Sequence, residues 1–203
     1  IPGLRLAFVG KEHVTLPPSE PETTEEYVKR HNLTVMHFGT DLNNIIIVRT
    51  NAEDRYLIGP KPGYLATNDS FKNYYLKAQV RWGETKYPPR MKSPRDSGII
   101  FHFTEDRVWP TSFEFQVQEG DMGDNWCTGP VTCTDSKGTP YPLNKENRII
   151  KYADAEKPSG EWNLLEMLCY DNHAEYYVNG VKVNDIHNLS LTEGKILFQL
   201  EFA

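Results

Sequence analysis

The chain has 203 residues, enough for one large β domain with a substantial core; 38% are hydrophobic, 25% charged and 12% aromatic. A net charge of −6 argues against a nucleic-acid surface, which needs a basic patch. No apolar run approaches the roughly 20 residues of a transmembrane helix, and the motifs of zinc ribbons, zincins, NTPases, α/β-hydrolases and dinucleotide enzymes do not occur.

Residues 1–40 carry the weakest pattern and read as an N-terminal extension packed on a single domain of residues 41–203. Within it, residues 17–22 (PPSEPE) read as a loop, and 23–30 (TTEEYVKR) as a short helix with a Thr cap, early acids and late bases. Strand signals follow. Residues 44–50 are β-branched; 74–82 alternate, with Leu76, Ala78, Val80 and Trp82 on one face. Trp82 and Trp162 both read as core residues. Further strands are predicted at 98–103 (GIIFHF), 113–118 (FEFQVQ), 162–170, 175–179 and 195–202. Asn179-Gly180 is a two-residue hairpin turn leading into 181–183. Short strands at this spacing predict an all-β antiparallel sandwich. Two long connections, 83–97 and 119–148, flank GIIFHF and FEFQVQ, and long loops in compact domains often carry function. Cys127 and Cys133 flank Gly129-Pro130, a spacing that a turn can close into a disulfide, with reduced thiols as the alternative; Cys169 is then unpaired.

If the phenylalanines of FEFQVQ face the core, Glu114, Gln116 and Gln118 share the other face. The same alternation in GIIFHF puts His102 beside them. A histidine, a carboxylate and two carboxamides on one surface can bind a divalent ion, hold sugar hydroxyls or move protons. Trp109 and Trp126 bracket the strand and offer aromatic planes for a pyranose ring; Asp121 and Asp124 follow in the loop. A solvated polar face and a structural histidine are the ordinary readings of each residue taken singly.

Three segments, 95–103 (RDSGIIFHF), 108–126 (VWPTSFEFQVQEGDMGDNW) and 158–184 (PSGEWNLLEMLCYDNHAEYYVNGVKVN), resemble the 3-keto-disaccharide hydrolase family, and the likeness extends over 63–202. The resemblance implies a concanavalin A-like jelly roll: two curved antiparallel sheets with a sugar cleft. It implies a carbohydrate or glycoside substrate oxidised to a ketone at C3, cleaved by proton abstraction at C2, elimination and hydration. On that basis His102 and Glu114 are the candidates for proton transfer or for ligating a divalent metal ion. Gln116, Asp124 and Gln118 would orient substrate, and Trp109 and Trp126 would wall the cleft. The family's last strand runs on into another core strand, so an open sheet edge is expected here. A periplasmic or extracellular location is expected.

Two other functions start from the same residues. Glu114-x-Gln116-x-x-Glu119 is similar to the ExDxxE strand of retaining β-glucanases, which need two carboxylates roughly 5 Å apart. That reading requires a bulge to bring Glu119 onto the face of Glu114. The other is a non-catalytic carbohydrate-binding module, which the same fold accommodates.

Overall fold

The computed structural model describes residues 3–9, 33–37, 55–57, 63–83, 86, 91–106 and 109–200, the first three stretches by backbone alone. The helix expected over 23–30 and the strand over 44–50 lie outside these residues. Every regular element among those described is a strand. In chain order they are β1 (Gly3–Val9), β2 (Leu33–His37), β3 (Arg55–Leu57), β4 (Gly63–Thr67), β5 (Tyr74–Arg81), β6 (Gly98–Phe103), β7 (Ser112–Gln116) and β8 (Asn125–Thr128). There follow β9 (Cys133–Asp135), β10 (Pro140–Tyr141), β11 (Arg148–Ile149), β12 (Asn163–Tyr170), β13 (His173–Val178), β14 (Val181–His187) and β15 (Lys195–Leu200).

They form two antiparallel sheets, as a jelly-roll sandwich requires. Sheet I runs β10-β9-β14-β13-β12-β5-β1-β3, and sheet II runs β11-β8-β7-β6-β15-β4-β2. The N-terminal stretch contributes backbone to both: β1 lies between β5 and β3, and β2 pairs with β4. The last strand has no open edge. It lies inside sheet II with β6 on one side and β4 on the other. No described helix is long and apolar enough to cross a membrane.

Alternation builds the core. Leu76, Ala78 and Val80 of β5, Leu165, Met167 and Cys169 of β12, and Ala174, Tyr176 and Val178 of β13 point inward from sheet I. Ile99, Phe101, Phe113, Phe115, Ile196 and Phe198 meet them from sheet II. Each large side chain removed from water contributes about 1.5–3 kcal/mol. Phe115 stacks on Tyr176 across the sandwich, with centroids 4.4 Å apart and planes at 13°. The Tyr176 hydroxyl donates to Asn125 Oδ1 at 2.8 Å, so the one polar tip in this stack is satisfied. Trp82 is buried as expected, whereas Trp162 is only partly buried and lies 5.0 Å beneath the Arg81 guanidinium. All three cysteines are free thiols, and Cys127 and Cys133 meet across the two sheets with sulfurs 3.5 Å apart.

One irregularity sets the local geometry of sheet II. Lys195 is opposite Phe103 and Ile196 is opposite Phe101, which leaves His102 as an extra residue, a β-bulge. His102 takes a left-handed φ of 58°, costly for a non-glycine residue. The bulge is braced by Gly194: a Cβ there would lie 2.4 Å from the His102 carbonyl carbon and 2.7 Å from its Cα. These are backbone atoms and cannot swing away. Gly194→Ala is therefore expected to destabilise the fold by about 1–3 kcal/mol, the usual cost of overpacking. A urea titration reads this as a lower midpoint with an unchanged slope; an unmoved midpoint would refute the tight bracing.

Candidate functional site

Phe113 and Phe115 are fully buried between the sheets, so the period of two puts Glu114 and Gln116 on the outer face of sheet II. The register then fixes their neighbours. Ile100, Glu114, Trp126 and Arg148 lie in one row across β6, β7, β8 and β11. Adjacent strands are about 4.8 Å apart, so Arg148 and Glu114 flank Trp126 at roughly 10 Å between backbones. Gly98 is opposite Gln116 and makes room for the carboxylate. A Cβ on Gly98 would lie 2.0 Å from Glu114 Oε1 and 2.9 Å from Gln199 Oε1. Tyr64, Ala66, Ile100, Phe103 and Leu197 form a small apolar cluster on this face.

Trp126 is half-buried, and the Arg148 guanidinium lies over its ring at 5.4 Å. The Trp126 Nε1 is buried with no hydrogen-bond partner. Arg148 is held from behind by two acids. Its Nε donates to Asp124 Oδ2 at 2.6 Å, and its Nη2 pairs with Asp124 and, at 2.9 Å, with Asp121. Desolvation works against the guanidinium charge, but Asp124 and Asp121 outweigh it and raise the Arg148 pKa above its ordinary value. Asp124 is completely buried, and its Oδ1 accepts from the Lys151 backbone N–H at 2.9 Å. Both its oxygens are committed, so it positions Arg148 and the 148–151 segment.

The other expected residues divide between this face and elsewhere. Gln116 is on the face, but its carboxamide oxygen accepts from the Val117 and Gln118 backbone N–H groups at 2.9 and 3.2 Å, closing the end of β7. Gln118 donates from Nε2 to Asp96 Oδ2 at 2.8 Å. Trp109 is exposed on the β6–β7 connection with φ 58°. The pairing of β7 continues regularly beyond its end: the Val117 N–H donates to Ser97 O, and the Glu119 N–H to Arg95 O, both at 2.9 Å. No bulge intervenes, so Glu119 keeps to the side opposite Glu114. There it accepts from Arg95 Nη1 at 2.8 Å and pairs with Lys86 at 3.4 Å. Burial opposes its charge, but Arg95 and Lys86 prevail and lower its pKa.

His102 is the principal correction. The bulge turns its ring into the interior, where it meets the rings of Tyr74 and Phe101 edge-on at 5.7 and 5.0 Å. Its Nδ1 is 2.9 Å from the Leu191 carbonyl, so the neutral ring donates there. The bulge simultaneously sends Phe103 to the outer face, the reverse of simple alternation. His102 and Glu114 therefore face opposite sides of sheet II, and the pair does not fit a shared metal ion. The residue missed in the sequence is Arg148. It sits on a two-residue strand inside the long connection, too short for periodicity to mark.

The model of the 3-keto-alpha-glucoside-1,2-lyase-like domain matches residues 25–202. The chain belongs to this family. No curated protein matches it. Among solved structures it is similar to two proteins provisionally named glycosyl hydrolases from Parabacteroides distasonis. One is 19% identical, with 70% of this chain and 76% of that one covered at a TM-score of 0.47. The other is 16% identical, with 89% and 92% covered at 0.48. It is also similar to the carbohydrate binding module CBM66 from Bacillus subtilis, at 8% identity, with 68% and 73% covered and a TM-score of 0.48. By its own description, the family to which the chain belongs is carbohydrate-related.

Two outcomes follow from the geometry. Gly98→Ala is expected to displace the Glu114 carboxylate, which is the movable partner in that contact, and leave the fold nearly as stable. Any activity that uses Glu114 should fall while the thermal midpoint holds; the reverse pattern would make the contact structural. Burial lowers the His102 pKa from 6.5 to about 4, against the raising effect of the Leu191 carbonyl. Because the folded value is the depressed one, this contribution is complete above about pH 6.5 and is lost as pH falls towards 4. It amounts to at most about 3 kcal/mol. Chemical unfolding across that window should show a shallower pH slope for His102→Asn, which tolerates the left-handed backbone; parallel slopes would refute the buried-neutral assignment.

Proposed function

We propose that the protein is a glycoside-processing enzyme that cleaves 3-keto-glycosides, with Glu114 as the base. The observation that carries this is the row Glu114–Trp126–Arg148, a buried carboxylate and a fixed guanidinium on either side of an indole. Membership of the lyase-like family supports the choice of substrate class.

The chemistry uses these groups in turn. A C3 ketone acidifies the C2 hydrogen. Glu114 takes that proton, and the C–H electron pair forms the C2–C3 enolate. The enolate then expels the C1 aglycone oxygen, which leaves as the alcohol by taking the proton that Glu114 removed from C2, and a C1–C2 double bond forms. Water adds across it, oxygen to C1 and proton to C2, to release the 3-keto sugar. Arg148 supplies a preorganised positive charge for the enolate oxygen, and loss of one such donor usually costs about 10²–10³ in rate. Trp126 offers the sugar ring a flat apolar surface. One carboxylate suffices, because the ketone replaces the oxocarbenium route and its second acid. A secreted or periplasmic setting, where glycans are processed, belongs to the same proposal.

The deciding experiment compares a 3-keto-glucoside with its parent glucoside. Turnover of the keto compound alone is expected, and Glu114→Gln should lower kcat by about 10² or more without shifting the thermal midpoint. Equal cleavage of the parent would favour the glucanase reading, and sugar binding without turnover of either would favour a carbohydrate-binding module.

A further inference from the structure

The outer face of sheet I carries a second polar cluster, on the far side of the sandwich from Glu114. His173 and Glu175 of β13 face His187 and Asp185 of β14. A bulge makes this possible. Tyr176 is opposite Asn184 and Tyr177 is opposite Lys182, so Val183 is extra. Lys182 and Asp185, three apart, would otherwise lie on opposite faces; with Val183 turned into the core they meet at 2.7 Å.

The cluster is organised around one carboxylate oxygen. Lys182 Nζ engages Asp185 Oδ2 and, also at 2.7 Å, Glu175 Oε1. The other Glu175 oxygen accepts from the Tyr177 hydroxyl at 2.6 Å. Glu175 Oε1 also lies 3.8 Å from His173 Nε2, too far for a hydrogen bond, while Asp185 Oδ1 is left towards the histidines, 3.5 Å from His187 Nε2. Asp185 Oδ1 and His173 Nε2 are both buried without a hydrogen-bond partner. Two sealed polar atoms with unmet demand at one spot call for a ligand or an ion. The two imidazoles stack at 4.1 Å and 18°, an arrangement that two protonated rings would resist. Burial, and then the nearby His187, lower the His173 pKa, which favours the neutral form that ligates metals.

We propose that His173, Asp185 and His187 form a binding site for a transition-metal dication of the zinc, cobalt or nickel class. Two imidazoles and one carboxylate suit such ions and leave a position for water. The three ligand atoms lie within 4.8 Å of one another. Bonds of about 2.1 Å around a tetrahedral ion want them roughly 3.4 Å apart, so the site closes by about 1 Å. His187, 40% exposed at its side chain, has room for that rotation. Two carboxylates against one ammonium give the neutral-histidine cluster a net charge of −1, which attracts a dication. Lys182 then serves as the outer partner that orients Asp185, and such partners are commonly worth about 10–100-fold in affinity.

The test is calorimetric titration of the full chain with Zn²⁺, and with Co²⁺ followed by visible absorption. One equivalent is expected, with a nitrogen–oxygen Co²⁺ spectrum. His187→Gln and Asp185→Asn, each checked for an unchanged melting profile, should weaken binding about tenfold or more. Glu114→Gln should leave it unchanged. The proposal is overturned by no saturable binding, by a thiolate–cobalt band that points to the cysteines, or by a loss in Glu114→Gln that His187→Gln does not share.

Discussion

The stack of Phe115 on Tyr176 is the contact from which the arrangement of this molecule follows. It joins the middle of sheet II to the middle of sheet I, and Asn125 caps it with a hydrogen bond. With Phe113 and Phe115 both locked inside, β7 has no freedom of register. A slip by one residue would bring Glu114 and Gln116 into the core and expel two phenylalanines, several kcal/mol in the wrong direction. The outward position of Glu114 is thus a consequence of what packs behind it. The same stack anchors β13, whose opposite face carries His173 and Glu175 on the far surface. Both polar clusters are therefore set by one apolar contact midway between them.

Alternation made most of this legible. β5, β7, β12, β13 and β15 are each readable as strands because their apolar residues recur every second position and turn residues bound them. Glu114 and Gln116 were placed on the right face by that rule alone. So was Glu119, whose separation from Glu114 follows from a ladder that continues unbroken to Arg95.

The principal failure has an identifiable cause. A bulge adds a residue and reverses the period, and nothing in GIIFHF marks His102 as the extra one. The mark lies more than 90 positions on, in Gly194, whose bare Cα admits the His102 backbone. Val183 does the same in β14, bringing Lys182 and Asp185 together against the rule. Arg148 was hidden for a different reason. Its strand is two residues long and exists because β8 is there to pair with it, a tertiary effect without a local signal.

Removing His102 from the outer face changes the chemistry that the face can support. With Glu119 committed to Arg95 and Lys86 on the other side, the carboxylate that the ExDxxE pattern would pair with Glu114 is not on its face. A single carboxylate is a poor instrument for hydrolysing an unactivated glycoside, which asks for an acid and a nucleophile or base together. It is adequate for removing a proton that a ketone has already made acidic, provided that a fixed charge receives the enolate. Arg148 has the properties this requires: its charge is maintained by Asp124 and Asp121, which also hold the guanidinium in place. Keeping a base and a cation apart across an indole, each restrained by its own support, suits a reaction in which negative charge travels from C2 to the ketone oxygen.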